Sequence, residues 1–248
     1  MSDLTLTRIC HSCTLIDLGG AVMLTDPWFS EKPTYHPGEP VAIAPDRLPR
    51  LAGVFISHDH YDHCDLKALA GYPDKQVPFV VQRGLAGKVR AAGFPNVTEL
   101  APWQTTQLGP VTVTATPARH KVPEITAVLQ RAGRTVFFGA DTLHIPQLAE
   151  LAPRFPQIDL ALLPINGLRI RPLLNKQVVM DAREAAALVA TLHPTVAVPI
   201  HYAFTGGVLG DRLLVKHDGR PDLFVQAVAE LAPETQARVL DPGEPLRL

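Results

Sequence analysis

The stretch FISHDHYDHCD, residues 55–65, places three histidines and three aspartates within the eight positions from His58 to Asp65. Imidazole and carboxylate are the side chains that bind zinc, manganese or iron, so this density raises metal coordination before any other chemistry. In an extended chain His58 and His60 stand two apart and project to one side, and Asp62 continues that alternation. His63 then points elsewhere, which suits a second ion. One loop rarely closes a metal site, however, and a polar turn after a strand has the same composition. Three later positions offer the missing ligands: His120, Asp141 and His201 each follow an apolar, strand-like run (VTVTATPA, TVFFGA and TVAVPI), as His58 follows GVFIS. Side chains converge beyond the carboxyl ends of strands because the backbone leaves the core there. Five histidines and two aspartates, with one carboxylate bridging, fit two divalent ions and leave a position open for water.

The elements that must position these residues are legible from patterning. TLTRI, TLIDL and AVMLTD read as strands, with Gly19 and Gly20 forming a tight hairpin turn between the last two. Residues 31–49 are rich in proline and read as a surface loop. LAGVFIS is a buried strand, DLKALAGY a short helix, PFVVQ a strand, and GLAGKVRAAG a helix closed by Gly93. Strand patterns return in TTQLG, VTVTATPA, TAVLQRA and TVFFGAD; IPQLAELAPRF reads as a helix and IDLALLPI as a strand. DAREAAALVATLH is the strongest helix, with Asp181 as its N-cap. TVAVPI follows as a strand, PDLFVQAVAELA as a helix with Pro221 in its first turn, and ARVLDP as a last strand. This order predicts an α/β architecture, two sheets packed on each other with helices outside, in a single domain over residues 1–248.

The motif HDHYDH matches the His-x-His-x-Asp-His signature of the metallo-β-lactamase fold superfamily, and ARH, GAD and PIHY resemble its remaining ligand motifs in order. TDPWFS resembles the early aspartate motif of such proteins, and CHSCTLID and LLPING are similar to one branch, the L-ascorbate-6-phosphate lactonases and N-acyl phosphatidylethanolamine phospholipase D-like hydrolases. The resemblance covers roughly residues 5–205. It implies an αββα sandwich of two mixed sheets flanked by helices, and a dinuclear hydrolase. Carried over position by position, one metal takes His58, His60 and His120, the other takes Asp62, His63 and His201, and Asp141 bridges. Asp26 becomes a residue behind the ligands. Two cations, zinc by preference and manganese or iron as alternatives, acidify a bridging water and polarise the scissile oxygen. Asp62 orients that water while ligating. The reaction implied is opening of a lactone, ester or phosphodiester of a small substrate, with an anionic substrate as one option.

Other positions carry weaker signals. His11 is open between a contact behind the metals or with substrate and an ordinary half-buried histidine. Tyr202, next to His201, either donates its hydroxyl to a developing oxyanion or packs. NGLRIRPLLNKQ, 166–177, is either an anion-binding loop, with Asn166, Arg169 and Arg171 on the substrate, or a solvated basic loop. Asp59 and Asp65 fall outside the ligand set, the latter as a helix cap. Cys10 and Cys13 have no second cysteine pair to complete a zinc knuckle, and Cys64 reads as a buried inert thiol. The segment 203–220 matches no assignable motif.

Composition narrows the functional classes. Lys plus Arg is 23 against 24 acidic residues, so no whole-chain basic field points to nucleic acid or an anionic membrane. Three sparse cysteines fit a reducing compartment. The first residues lack a signal-peptide layout and no apolar run reaches spanning length, so the expectation is a cytoplasmic enzyme acting on a small molecule, with homo-oligomerisation left open. A ribonuclease of the same superfamily is the alternative, weakened by the missing basic stripe. A flavin-linked diiron protein would carry a glutamate where His60 stands, and a glyoxalase II-like thioesterase would append a helical domain. A metal-binding sensor or scaffold would not need an open dinuclear site.

Overall fold

Strands covered on both faces must divide their side chains between two cores, and here they do so residue by residue. In Gly53–Ile56, Phe55 enters a central cluster, whereas Val54 and Ile56 enter a second one. In Arg134–Phe138, Val136 and Phe138 join the central cluster, whereas Phe137 faces a third. Leu160–Pro164 repeats this, with Leu160 and Leu162 central and Ala161 and Leu163 in the third cluster. The computed structural model describes residues 3–32 and 35–248.

The central cluster lies between two seven-stranded mixed sheets. The first runs, in spatial order, Pro245–Arg247, Leu4–Cys10, Cys13–Leu18, Ala21–Thr25, Gly53–Ile56, Phe79–Gln82 and Val97–Leu100. It is antiparallel as far as Ala21–Thr25 and parallel beyond. The second runs Gln236–Ala237, Val196–Ile200, Leu160–Pro164, Arg134–Phe138, Ile125–Arg131, Val111–Pro117 and Thr105–Leu108. Its first four strands are parallel and the rest antiparallel. Helices Leu66–Leu69 and Ala86–Ala91 cover the first sheet through Leu66, Leu69 and Val89. Helices Ala182–Leu192 and Pro221–Leu231 cover the second through Leu188, Val189, Phe224 and Val228. The order is therefore αββα.

Local chemistry accounts for several boundaries. Gly19 and Gly20 both adopt positive φ (58° and 88°), which a two-residue hairpin loop between Leu18 and Ala21 demands. Ala182–Leu192 begins at a reciprocal capping box formed by Asp181 and Glu184. Other expectations need correction. DLKALAGY yields one helical turn, and IPQLAELAPRF opens as a 3-10 helix, Pro146–Glu150, before Leu151–Arg154. ARVLDP does not form the last strand: only Gln236–Ala237 pairs, and Pro245–Arg247 closes on Leu4–Cys10. Val97–Leu100, an edge strand without alternation, is not visible in the sequence pattern, nor is a small sheet of Arg169–Ile170, Lys176–Gln177 and Val215–Lys216. Residues 31–49 are not simply a surface loop either. His36–Pro37 pairs with Phe204–Thr205, and Tyr35 and Glu39 reach inward. No helix among the described residues is long and apolar enough to cross a membrane.

This topology brings four strand ends to one edge. Gly53–Ile56 precedes His58, and the parallel strands Arg134–Phe138 and Val196–Ile200 precede Asp141 and His201. Val111–Pro117 lies two antiparallel steps from Arg134–Phe138, so it runs the same way toward His120. The two sheets are tied at this edge, where Ile125 N–H donates to the Ser57 carbonyl at 3.2 Å and His201 N–H to the His11 carbonyl at 3.4 Å.

Candidate metal centre

Beyond Ser57 the chain does not stay extended. It turns at residues 61–63, and His63 N–H donates to the His60 carbonyl at 3.1 Å. Asp62 therefore does not continue the alternation of His58 and His60; it swings to the same group as His63. Asp59 is exposed and pairs with Lys88. Asp65 caps Leu66–Leu69 by accepting from Ala68 N–H.

Two groups of ligand atoms result. His58, His60, His120 and Asp141 each offer one atom within 4.8 Å of the others. His58 Nε2 and His120 Nε2 lie 2.9 Å and 3.2 Å from His60 Nδ1. Ligand atoms around a tetrahedral zinc stand about 3.3 Å apart, so these nitrogens already have the spacing of a coordination shell. The second group holds Asp62, His63, His201 and also His11. Asp141 Oδ2 sits between the groups, 2.8 Å from His201 Nε2, 3.2 Å from His63 Nε2, and 3.9 Å from both His58 Nε2 and His120 Nε2.

For His58, His63 and His120, a second layer of groups sets which ring nitrogen carries the proton. His63 Nδ1–H donates to Asp26 Oδ2 at 2.7 Å, leaving Nε2 as the inward lone pair. Ser57 donates its hydroxyl proton to the same oxygen at 2.6 Å, so its own oxygen accepts from His58 Nδ1–H at 2.8 Å. Asp26 thereby orients one imidazole in each group. Glu124 Oε1 lies 3.2 Å from His58 Nδ1 and accepts from Asp141 N–H at 2.9 Å. His120 Nδ1–H donates to the Val178 carbonyl at 2.8 Å. Ser57 and Glu124 were not legible from sequence; the only signal is a buried charge opening the apolar run ITAVL.

Burial and mutual charge decide the protonation of these rings. Burial, then neighbouring imidazoles, lower His11, His58 and His60 to about 3, so their lone pairs are available at neutral pH. Burial alone would also lower His63, but the carboxylates of Asp141, Asp62 and Asp26 outweigh it and hold this ring well above the usual value. Burial opposes ionisation of Asp62 and Asp141, yet the surrounding imidazoles keep both well below the carboxylate range. Burial pushes the Glu124 carboxyl up to about 8. Asp62 Oδ1 and Asp141 Oδ1 are buried without a hydrogen-bond partner. Orphaned acceptors converging at this spacing are costly unless something cationic satisfies them. The donor set thus fits two divalent ions. The backbone is bent to make it: His11, Asp26, Ala140 and His201 all adopt left-handed φ between 37° and 55°.

His11 Nε2 lies 3.3 Å from Asp62 Oδ2, and its ring centroid is 3.9 Å from that of His201. Tyr35, absent from the sequence-based candidates, donates its hydroxyl to Asp62 Oδ2 at 3.2 Å. Burial, reinforced by Asp62 and Asp141, keeps this phenol protonated. Tyr202 is placed differently. Its hydroxyl accepts from the buried Arg8, its ring lies 4.7 Å from that guanidinium, and it does not line the cavity over the two groups. Asn166 is buried and accepts from Leu168 N–H; Arg169 donates to Gln177, and Arg171 to the Val215 carbonyl. None of the three lines that cavity, whose walls instead carry Leu168 and Ile170. Period-two alternation along 168–171 turns the apolar pair in and the arginines away. Cys10, Cys13 and Cys64 are free and buried.

Residues 22–202 match the family model described as the beta-lactamase superfamily domain. An uncharacterized protein of Mycobacterium tuberculosis (strain ATCC 25618 / H37Rv) is 31% identical over 187 residues, covering 67% of this chain and 50% of that protein, so the chain spans about half the relative's length. A UPF0173 metal-dependent hydrolase of Anaeromyxobacter dehalogenans (strain 2CP-C) is 26% identical over 247 residues, covering 92% of this chain and 80% of the relative. A metallo hydrolase from the archaeon Ignicoccus hospitalis superposes with a TM-score of 0.76 at 22% identity, covering 99% and 98% of the two chains. That likeness is one of fold.

Proposed function

Because this chain belongs to the metallo-β-lactamase fold superfamily, we propose that it is a hydrolase working with two divalent metal ions on an ester, lactone or phosphodiester. One observation carries the reading: a single carboxylate oxygen, Asp141 Oδ2, lies within 3.9 Å of four imidazole nitrogens that belong to two separate ligand groups. His58, His60 and His120 would hold one ion, Asp62, His63 and His201 the other, and Asp141 both. Imidazole and carboxylate donors suit zinc, and the same set accepts manganese or iron. Bound there, the ions supply an acidified water and a Lewis acid for the scissile oxygen.

The protein's own groups do the rest. Asp62 Oδ1 carries no hydrogen bond and is free to orient the attacking water. Tyr35 donates to the opposite oxygen of Asp62, and His11 Nε2 stands 3.3 Å from that oxygen. Tyr35, rather than Tyr202, places a protonated hydroxyl over the centre. Asp26 keeps the His63 and His58 protons on Nδ1, and Glu124 braces His58 and Asp141. Metal analysis of purified protein, with assays on ester, lactone and phosphodiester panels, tests the reading. Two ions per chain with hydrolysis of one class is the expected outcome; two ions with no hydrolysis in any class would favour a sensor or scaffold. His120→Ala should lose one ion and the activity, and retention of both would refute the ligand assignment.

A further inference from the structure

The cavity over the two ligand groups encloses about 300 Å³, and its floor is formed by His60, His120, Asp141 and His201. Its walls are apolar: Leu168, Ile170, Val178, Phe204 and Val215 face Tyr35 and Tyr61. The only side-chain cation among its lining residues is Lys121, which is exposed. Arg169 and Arg171, which flank the lining residue Ile170, are taken up by Gln177 and the Val215 carbonyl. A phosphate or polyhydroxylated group placed against this wall would lose its water without gaining partners, whereas an alkyl or aryl group would lose nothing by entering.

We propose that the substrate presents an uncharged aliphatic or aromatic acyl group to the wall formed by Leu168, Ile170, Val178, Phe204 and Val215, making it an acyl ester or lactone and not a phosphorylated sugar. The volume matches about ten water molecules, so the wall has room for a group of roughly ten non-hydrogen atoms. This substrate class presupposes the hydrolysis proposed above; binding of the acid product does not.

Two readouts therefore separate the claims. Acetate, butyrate and hexanoate, with glycerol phosphate as the anionic comparison, are titrated calorimetrically into zinc-loaded protein. Affinity should rise about fourfold per added methylene, the worth of burying one such group, with glycerol phosphate no tighter than acetate. Ile170→Asp, checked for folding by circular dichroism, should flatten the series, and Ile170→Leu should preserve it. A flat series in the unmutated protein, or tighter binding of glycerol phosphate, would overturn the proposal. The p-nitrophenyl esters of the same acids and bis(p-nitrophenyl) phosphate are then assayed for hydrolysis. A rising carboxylate series with no hydrolysis would uphold the apolar pocket and defeat the hydrolase reading. Hydrolysis without chain-length dependence would do the reverse.

Discussion

Asp26→Asn changes one atom of a buried carboxylate, yet it should weaken metal binding strongly and unequally at the two ligand groups. Asp26 accepts from Ser57 N–H at 2.8 Å, Ser57 O–H at 2.6 Å and His63 Nδ1–H at 2.7 Å. An asparagine keeps one acceptor oxygen. With that oxygen on Ser57 N–H, the amide nitrogen faces two further donors. His63 can pair with it only by moving its proton to Nε2, the nitrogen that must point at metal. Retaining metal means forfeiting this hydrogen bond, and a bond to a charged acceptor is worth about 1.5–3 kcal/mol. At about 1.4 kcal/mol per tenfold, the ion held by Asp62, His63 and His201 should bind about 10- to 100-fold more weakly. His58 is buffered, because Glu124 Oε1 lies 3.2 Å from the same Nδ1 and can take its proton. The other ion should therefore weaken by less than about tenfold. Chelator competition with metal analysis of each step reads both constants. Equal weakening at the two steps, or none, would refute the tautomer reasoning.

Three further outcomes follow from the geometry. Metal-free His63 has its pKa raised by three carboxylates, so it is protonated at neutral pH; ion binding must expel that proton, and affinity at this group should increase with pH. His58 and His60 are lowered to about 3, so neither has a proton for the other ion to expel between about pH 5 and 8. Calorimetry in buffers of different ionisation enthalpy checks the proton count, and proton release from both ions alike would contradict this. Gly38→Ala would place a Cβ 1.7 Å from the Ala203 carbonyl oxygen, forcing His36–Pro37 off Phe204–Thr205. It should cost about 2–4 kcal/mol in urea unfolding, and an unchanged midpoint would show that the strap is not held there. Phe55→Ala opens the core between the sheets and should cost about 3–5 kcal/mol by the same measurement; a loss under about 1 kcal/mol would mean the site collapses freely.

Much of this protein is decided locally. The continuous apolar runs Gly53–Ile56 and Leu160–Pro164, the paired glycines at the first hairpin and the Asp181 cap all act within a few residues, so the sequence by itself determines two sheets clad in helices. The order of ligand types is equally local, since each of His58, His120, Asp141 and His201 follows a buried run. Tertiary structure decides the rest. Asp62 joins His63 because the chain turns at 61–63. Arg169 and Arg171 leave the cavity because a two-residue strand takes its register from partners some eight and forty-seven positions away, and register sets the side each residue faces. Tyr202 is claimed by Arg8, a residue 194 positions earlier, while Tyr35 reaches Asp62 from a loop whose composition signals only solvent. Glu124 is invisible in sequence because a lone carboxylate beside an apolar run has no periodicity. The metal-binding chemistry is written in residue types and strand ends; which groups surround it, and what they admit, depends on contacts between segments far apart in the chain.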